Sequence, residues 1–254
     1  MITYKTMEEI ALLREGGKRL ATIVRKAGQM AKPGITTQEI DNAVSGWIAE
    51  YGDEPAFLNY QPAGADVPFP ASICISINEE VVHGIPSDRV LKEGDIVGLD
   101  CGLIHKGLIT DHAITVMVGE VKQEVKQLIF DTQESLSAGI AAAAPDGRVG
   151  DISAAIEAVL HKGGYGIVRE LAGHGVGHKV HEEPFVPNYG KAGSGPVLKP
   201  GLVLALEPMA TLGRADIETD EDDGYTIRTV DRSMAAHFEH TIAITKNGPE
   251  ILTI

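Results

Sequence analysis

Behind Thr6, apolar residues fall at Ile10, Leu13 and Leu20, the spacing of one buried helical face. Thr6 and Glu9 stand three apart and read as a capping box, so the pattern predicts a helix over 7–31. "GITTQEIDNAVSGWIAEYG" (34–52) predicts a second helix, closed by glycine. A loop rich in Pro and Gly follows at 61–70, then "SICISI" (72–77), which reads as a strand. Helical spacing returns over 121–144, where "AAAA" ends before Pro145, and again over 151–163.

Two segments echo two others. "LKEGDIVGLD" (91–100) aligns with "LKPGLVLALE" (198–207), and "DHAITV" (111–116) with "EHTIAI" (239–244). Each half therefore supplies one strand ending in an acid and one beginning with an acid followed by His. The expected architecture is a single α+β domain, 1–254, with pseudo-two-fold halves of about 1–120 and 121–254. Helices would pack on one face of a mainly antiparallel sheet.

The first copy permits a geometric expectation. "DIVGLDCGLIHKGLITDHAITVMVG" reads as two strands joined by a tight turn near 105–107. With His105 and Lys106 as the turn, Ile104 faces Gly107 and Asp100 faces Asp111. Directly opposed residues share a face with Cβ atoms about 5 Å apart; a bulge at Gly107 would shift this register by one. Two carboxylates so close must be neutralised by a proton, a cationic side chain or a metal ion. These strands contain no Arg, and Lys106 lies at the far turn, so a metal is the economical answer. Taken singly, an Asp in a strand is usually an edge or turn residue, and Glu207 before Pro208 a strand terminator. Their repetition at matching places is hard to obtain from solvated edges. Four inward carboxylates with an imidazole make a hard, oxygen-rich site, suited to two divalent ions such as Mn, Fe(II), Co or Zn.

Composition narrows the field. A net charge of −14 argues against a nucleic-acid surface as the main function. No apolar run approaches a membrane span. The charged N-terminus has no signal-peptide core, and Cys74 and Cys101 sit in strand-like apolar runs, so reduced thiols and a cytoplasmic location are expected. The acidic run "DIETDEDDG" (216–224) reads as a solvated loop. There is no phosphate-binding Gly-rich loop, no HExxH helix and no GxSxG elbow. His112 and His240 each follow an acid, so alternation turns them to the opposite sheet face, as structural residues. His161 and His237 read as ordinary surface or core histidines. "LAGHGVGHKVHEEPFVPN" (171–188) crowds His174, His178 and His181 into a stretch too glycine-rich for a stable helix or strand.

"INEEVVHGIPSD" (77–88), Asp100, Asp111, "GHGVGHKVHEEP" (173–184), "LALEPM" (204–209) and "AHFEHTIAIT" (236–245) together resemble the type I methionine aminopeptidases, in order and across nearly the whole chain. The resemblance implies the pita-bread fold, a curved sheet with helices on its outer face. It also implies a dinuclear metal site that removes the initiator Met from nascent polypeptides when the second residue is small. Carried onto this chain, it makes Asp100, Asp111, His174, Glu207 and Glu239 metal ligands, with Asp111 and Glu239 bridging. His181 would hydrogen-bond the substrate carbonyl as it becomes tetrahedral, His83 would contact the scissile amide nitrogen, and Glu207 would shuttle a proton. Glycines beside His174 would let the backbone approach the metals. His178 matches no functional position. The family often has "HGD" before the second aspartate, an aromatic residue beside His181 and a pocket Trp; here these are "ITD", Val180 and Tyr225. Loop 61–70 is longer than the common form. These differences centre on the Met pocket, with Tyr60, Phe69, Cys74 and Tyr225 as expected walls. A monomer is expected, and any ribosome contact should be transient. The alternatives are a related aminopeptidase P or prolidase-like hydrolase, and a non-catalytic pita-bread module that binds peptides or proteins. The first usually carries an extra N-terminal domain; the second typically loses ligands, and all five are present here.

Overall fold

The computed structural model describes residues 1–62 and 64–254. The first half contributes α1 (Met7–Met30), α2 (Thr37–Glu50), β1 (Glu54–Pro55), β2 (Cys74–Ile77), β3 (Glu80–Val82), β4 (Ile96–His105) and β5 (Leu108–Met117). The second contributes α3 (Gln123–Ala142), α4 (Val149–Gly163), β6 (Gly166–Ile167), β7 (Ala172–Gly175), β8 (Glu182–Pro187), β9 (Val203–Leu206) and β10 (Met209–Thr211). After these come β11 (Ile217–Thr219), β12 (Ile227–Thr229), β13 (Ala235–His237), β14 (Glu239–Thr245) and β15 (Gly248–Ile251).

Thr6 starts α1 as its sequence suggests. Glu9 N–H donates to Thr6 Oγ1 (3.2 Å) and Thr6 N–H to Glu9 Oε2 (2.7 Å). Thr36 and Glu39 repeat the arrangement, so α2 begins at Thr37 rather than at Gly34. The helix α4 starts at Val149, two residues earlier than expected, while α3 is shorter than 121–144 by two residues at each end. The strand expected at 72–77 is confined to Cys74–Ile77.

The largest sheet runs β1-β4-β5-β14-β9-β7-β8, with β2 added on β4 and β15 on β14, and every pairing is antiparallel. Helices cover one face, with a separate core in each half. Leu20, Ile23, Val24, Ile40 and Ile48 of α1 and α2 pack on Ile75, Val97, Leu99 and Leu103. Leu128, Leu136, Ile152, Ile156 and Leu160 of α3 and α4 pack on Leu204, Leu206, Ile242 and Ile244. Ile114 touches both cores. Burying side chains such as Leu20 and Ile156 stabilises by about 1.5–3 kcal/mol each, and the two helical layers leave the other sheet face for the site. Among the described residues no helix is long and apolar enough to cross a membrane.

The β4–β5 turn differs from expectation. Lys106 (φ 50°) and Gly107 (φ 80°) form it, with the two positive φ values that a two-residue primed turn needs. His105 therefore pairs with Leu108, Asp100 with Ala113 and Asp111 with Gly102. The shift moves Asp111 two positions along β4 from Asp100, which preserves side-chain parity, so both acids still point to one face. In the second half Leu206 pairs with His240, the residue after Glu239, and Glu207 follows β9 directly.

Candidate metal and peptide site

All eleven residues singled out from the sequence line one cavity of about 130 Å³: Tyr60, Phe69, Cys74, His83, Asp100, Asp111, His174, His181, Glu207, Tyr225 and Glu239. Asp100 comes from β4, Asp111 from β5, Glu239 from β14 and His174 from β7, while Glu207 follows β9 directly. Five adjoining strands, β4-β5-β14-β9-β7, thereby aim acids and an imidazole at one point. One ligand atom from each of Asp111, His174 and Glu239 lies within 4.8 Å of the others. Glu207 Oε1 is 3.4 Å from His174 Nε2, and the Asp111 charge acts on Asp100.

The electrostatics are those of acids crowded out of water. Burial, then the charges of Asp100 and Asp111, holds Glu207 well above the usual carboxylate range. Burial and the neighbouring acids do the same to Glu239 and Asp100. Asp100 Oδ1 and Glu239 Oε1 are buried with no hydrogen-bond partner. Buried carboxylate oxygens without donors call for a cation, so the residues fit a metal group. His174 fits it as well. Its Nδ1–H donates to the Gly175 carbonyl at 2.9 Å, which leaves the Nε2 lone pair facing the acids. Desolvation pushes its pKa down to about 3, so the ring is neutral, as a ligand must be.

The glycines around His174 serve a different purpose from the one expected. A Cβ on Gly173 would lie 2.5 Å from the Ala205 carbonyl oxygen, and one on Gly175 would lie 2.4 Å from that of Glu183. They let β7 squeeze between β8 and β9; the close neighbour is backbone.

His181 stands at the mouth, its ring 4.5 Å from that of His174 and its Nδ1 3.0 Å from Tyr60 Oη. His83 follows β3 with a left-handed backbone (φ 61°), and desolvation pushes its pKa down to about 4. Phe69 and Tyr225 meet edge to face at 5.2 Å, and Tyr225 Oη donates to the Val67 carbonyl at 2.5 Å. Phe57, Pro62 and Val180 complete the apolar wall; Val180 and loop 61–70 had been tied to the pocket as departures from the family pattern, whereas nothing in the sequence pattern had marked Phe57. His178 is outside the cavity and donates from Nε2 to Glu9 Oε1 at 2.7 Å. His112 and His240 occupy the helix-covered side, paired across β5 and β14 and stacked at 4.8 Å, and His112 Nδ1–H donates to the Glu239 carbonyl.

His237 is not an ordinary core histidine. It is 3% exposed, its Nε2 is 3.8 Å from Glu207 Oε2, and that nitrogen has no hydrogen-bond partner. A signal for it existed: residues 237, 239 and 241 share parity. Thr241 accepts the Asp111 N–H and donates to its carbonyl, both at 2.8 Å. Cys74 and Cys101 are free and buried. Within the 216–224 acidic stretch, Arg228 pairs with Glu218 and Asp220.

Four carboxylates and a neutral imidazole on one face of an antiparallel sheet, beside an apolar slot, are the kind of donors a hydrolytic metal centre uses. Comparison with known proteins agrees. Residues 11–246 match metallopeptidase family M24. Methionine aminopeptidase of Clostridium acetobutylicum is 46% identical over 255 residues, covering 100% of this chain and 99% of the relative. Methionine aminopeptidase 1 of Bacillus subtilis is 44% identical, with 100% and 99% covered. The crystal structure of the Thermotoga maritima methionine aminopeptidase superposes with a TM-score of 0.95 at 41% identity, covering 100% of this chain and 99% of that one. The prolidase of Pyrococcus horikoshii shares the fold alone, with a TM-score of 0.76 at 23% identity; the match covers 99% of this chain and 63% of the prolidase. The chain belongs to metallopeptidase family M24 and, within it, to the methionine aminopeptidases, and its fold is the pita-bread fold.

Proposed function

We infer that this protein is a metal-dependent aminopeptidase that removes the N-terminal methionine of polypeptides. The observation that carries the reading is the meeting of the Asp111, His174 and Glu239 ligand atoms beside an apolar slot. Asp100, Asp111, His174, Glu207 and Glu239 would hold two divalent ions, of the Mn, Fe(II), Co or Zn class that carboxylate and imidazole donors suit. When bound, such ions acidify a water and polarise the substrate carbonyl.

The chain's own groups supply the rest. Phe69, Cys74 and Tyr225 receive the methionine side chain. With the Tyr60 hydroxyl donating to Nδ1, His181 keeps its proton on Nε2 and offers it to the carbonyl oxygen as that oxygen gains charge. His83 hydrogen-bonds the scissile amide nitrogen as it departs. Glu207, facing the same point, takes up the proton given up by the attacking water. The working form is a monomer in the cytoplasm, and the charge of −14 keeps any contact with ribosomal RNA weak.

Competition between a Met-Ala-Ser peptide and an X-Pro dipeptide tests the assignment. Methionine release from the first with negligible cleavage of the second is expected. Preference for X-Pro would instead establish a prolidase-like enzyme.

A further inference from the structure

The residue next to His181 is Glu182, which closes the turn that carries it. Glu182 Oε1 accepts the backbone N–H of His178 at 2.6 Å and of Lys179 at 3.0 Å. Its Oε2 accepts from Lys5 Nζ at 2.6 Å and from the Thr3 hydroxyl, while Lys5 Nζ also donates to Thr3 Oγ1 at 2.9 Å. The Lys5 side chain is wholly withdrawn from water and that of Glu182 nearly so. The lysine stem passes directly over Gly177. Its Cε lies 2.4 Å from where a Gly177 Cβ would stand, and Gly177 has φ 139°, so only glycine fits beneath it. Lys5 itself is anchored by its N–H to the Gly201 carbonyl at 2.7 Å, and the Gly177 carbonyl accepts from Ile109 N–H at 2.7 Å.

A buried ion pair is a poor way to gain stability, because desolving two charges offsets most of their attraction, and apolar side chains of similar volume often do as well. This pair does something an apolar pair cannot. A charged carboxylate with four donors fixes two backbone amides of a turn that has no helix or strand of its own. The turn ends in the imidazole at the mouth of the site.

We propose that Lys5 is a positioning residue: through Glu182 it holds the turn 177–182 so that His181 meets the substrate carbonyl. The inference rests on the reading of His181 as the donor to that oxygen. A double-mutant cycle tests it, with kcat and KM for Met-Ala-Ser measured on the parent protein, Lys5→Met, His181→Ala and the double variant. All four are loaded under one metal condition, with bound metal quantified in each. Lys5→Met is expected to lower kcat by about 10-fold or more, since small misplacements near the reacting atoms have large effects. Its KM should stay within about threefold and its metal content at the parental value. In the His181→Ala background the same substitution should change kcat by less than about twofold, because its effect passes through the missing ring. An equal factor in both backgrounds overturns the inference, as does a parental kcat for Lys5→Met. If the reading of His181 is wrong, that shows separately, as a parental kcat for His181→Ala alone, and the inference falls with it. Should Lys5→Met yield too little folded protein, Glu182→Gln enters the same cycle with the same expected and overturning results.

Discussion

At the scale of single residues, three histidines within eight positions have three different surroundings. His174 is buried, donates to a carbonyl and turns a bare nitrogen on the acids. His181 lies at the mouth against Tyr60, and His178 points away to Glu9 at the start of α1. His181→Ala should therefore retain its metal and lose about 10²-fold in kcat, the usual loss for a donor to a developing oxyanion. His178→Ala should keep kcat within about threefold, since an exposed pair contributes little. Steady-state kinetics with metal analysis checks both, and the reverse pattern would mean the two roles have been exchanged. That the acids and His174 meet in one cavity was legible from the repeat and the resemblance. His237 was misread although it shares parity with Glu239, because no partner for it stood out in the sequence and the parity was not followed back past the acid. Nor did the glycines beside His174 announce that they accommodate neighbouring strands, for a pattern gives the absence of a side chain and not what lies against it.

At the scale of elements, α1 was read to within a residue because Thr6–Glu9 punctuates its start, whereas the Thr36–Glu39 box went unread and the second helix was begun at Gly34 instead of Thr37. The hairpin register was displaced because the turn places Lys106 in the left-handed region, where Asn, Asp or Gly is the usual signal. Asp100 and Asp111 nevertheless share a face, since a two-residue offset leaves alternation intact. The tie between the N-terminal segment and the turn before β8 was invisible, joining residues 177 apart through a buried Lys. That tie has a pH signature. Despite its burial, bonds from Lys5, Thr3 and Lys179 N–H hold the Glu182 pKa down to about 2. A depressed carboxylate pKa contributes stability that is full above its unfolded value near 4.5 and is lost as pH falls through the folded value. The stability difference between the parent and Glu182→Gln should therefore be greatest above about pH 5 and shrink steadily toward pH 2. Denaturant unfolding of both proteins across that range reads it, and a difference that grows as pH falls would reverse the sign.

At the scale of the whole molecule, two helix-covered half-cores set the five strands β4, β5, β14, β9 and β7 side by side, and the site is where their acid- and imidazole-bearing positions converge. A substrate whose second residue is Ile presents a side chain that is β-branched and stiff at χ1, so it cannot swing its bulk away from the reacting carbonyl. Met-Ala peptides should accordingly outcompete Met-Ile peptides by roughly 10²-fold or more. A two-peptide competition checks this; equal rates would show a broader aminopeptidase. The most direct test of the whole account is methionine release from Met-Ala-Ser by protein stripped with a chelator and then titrated with a divalent ion, beside Asp111→Ala. The account predicts silence in the stripped protein, recovery as up to two ions bind per chain, and almost none in Asp111→Ala at the same ion concentration. Undiminished turnover without metal, or parental turnover by Asp111→Ala, would contradict it.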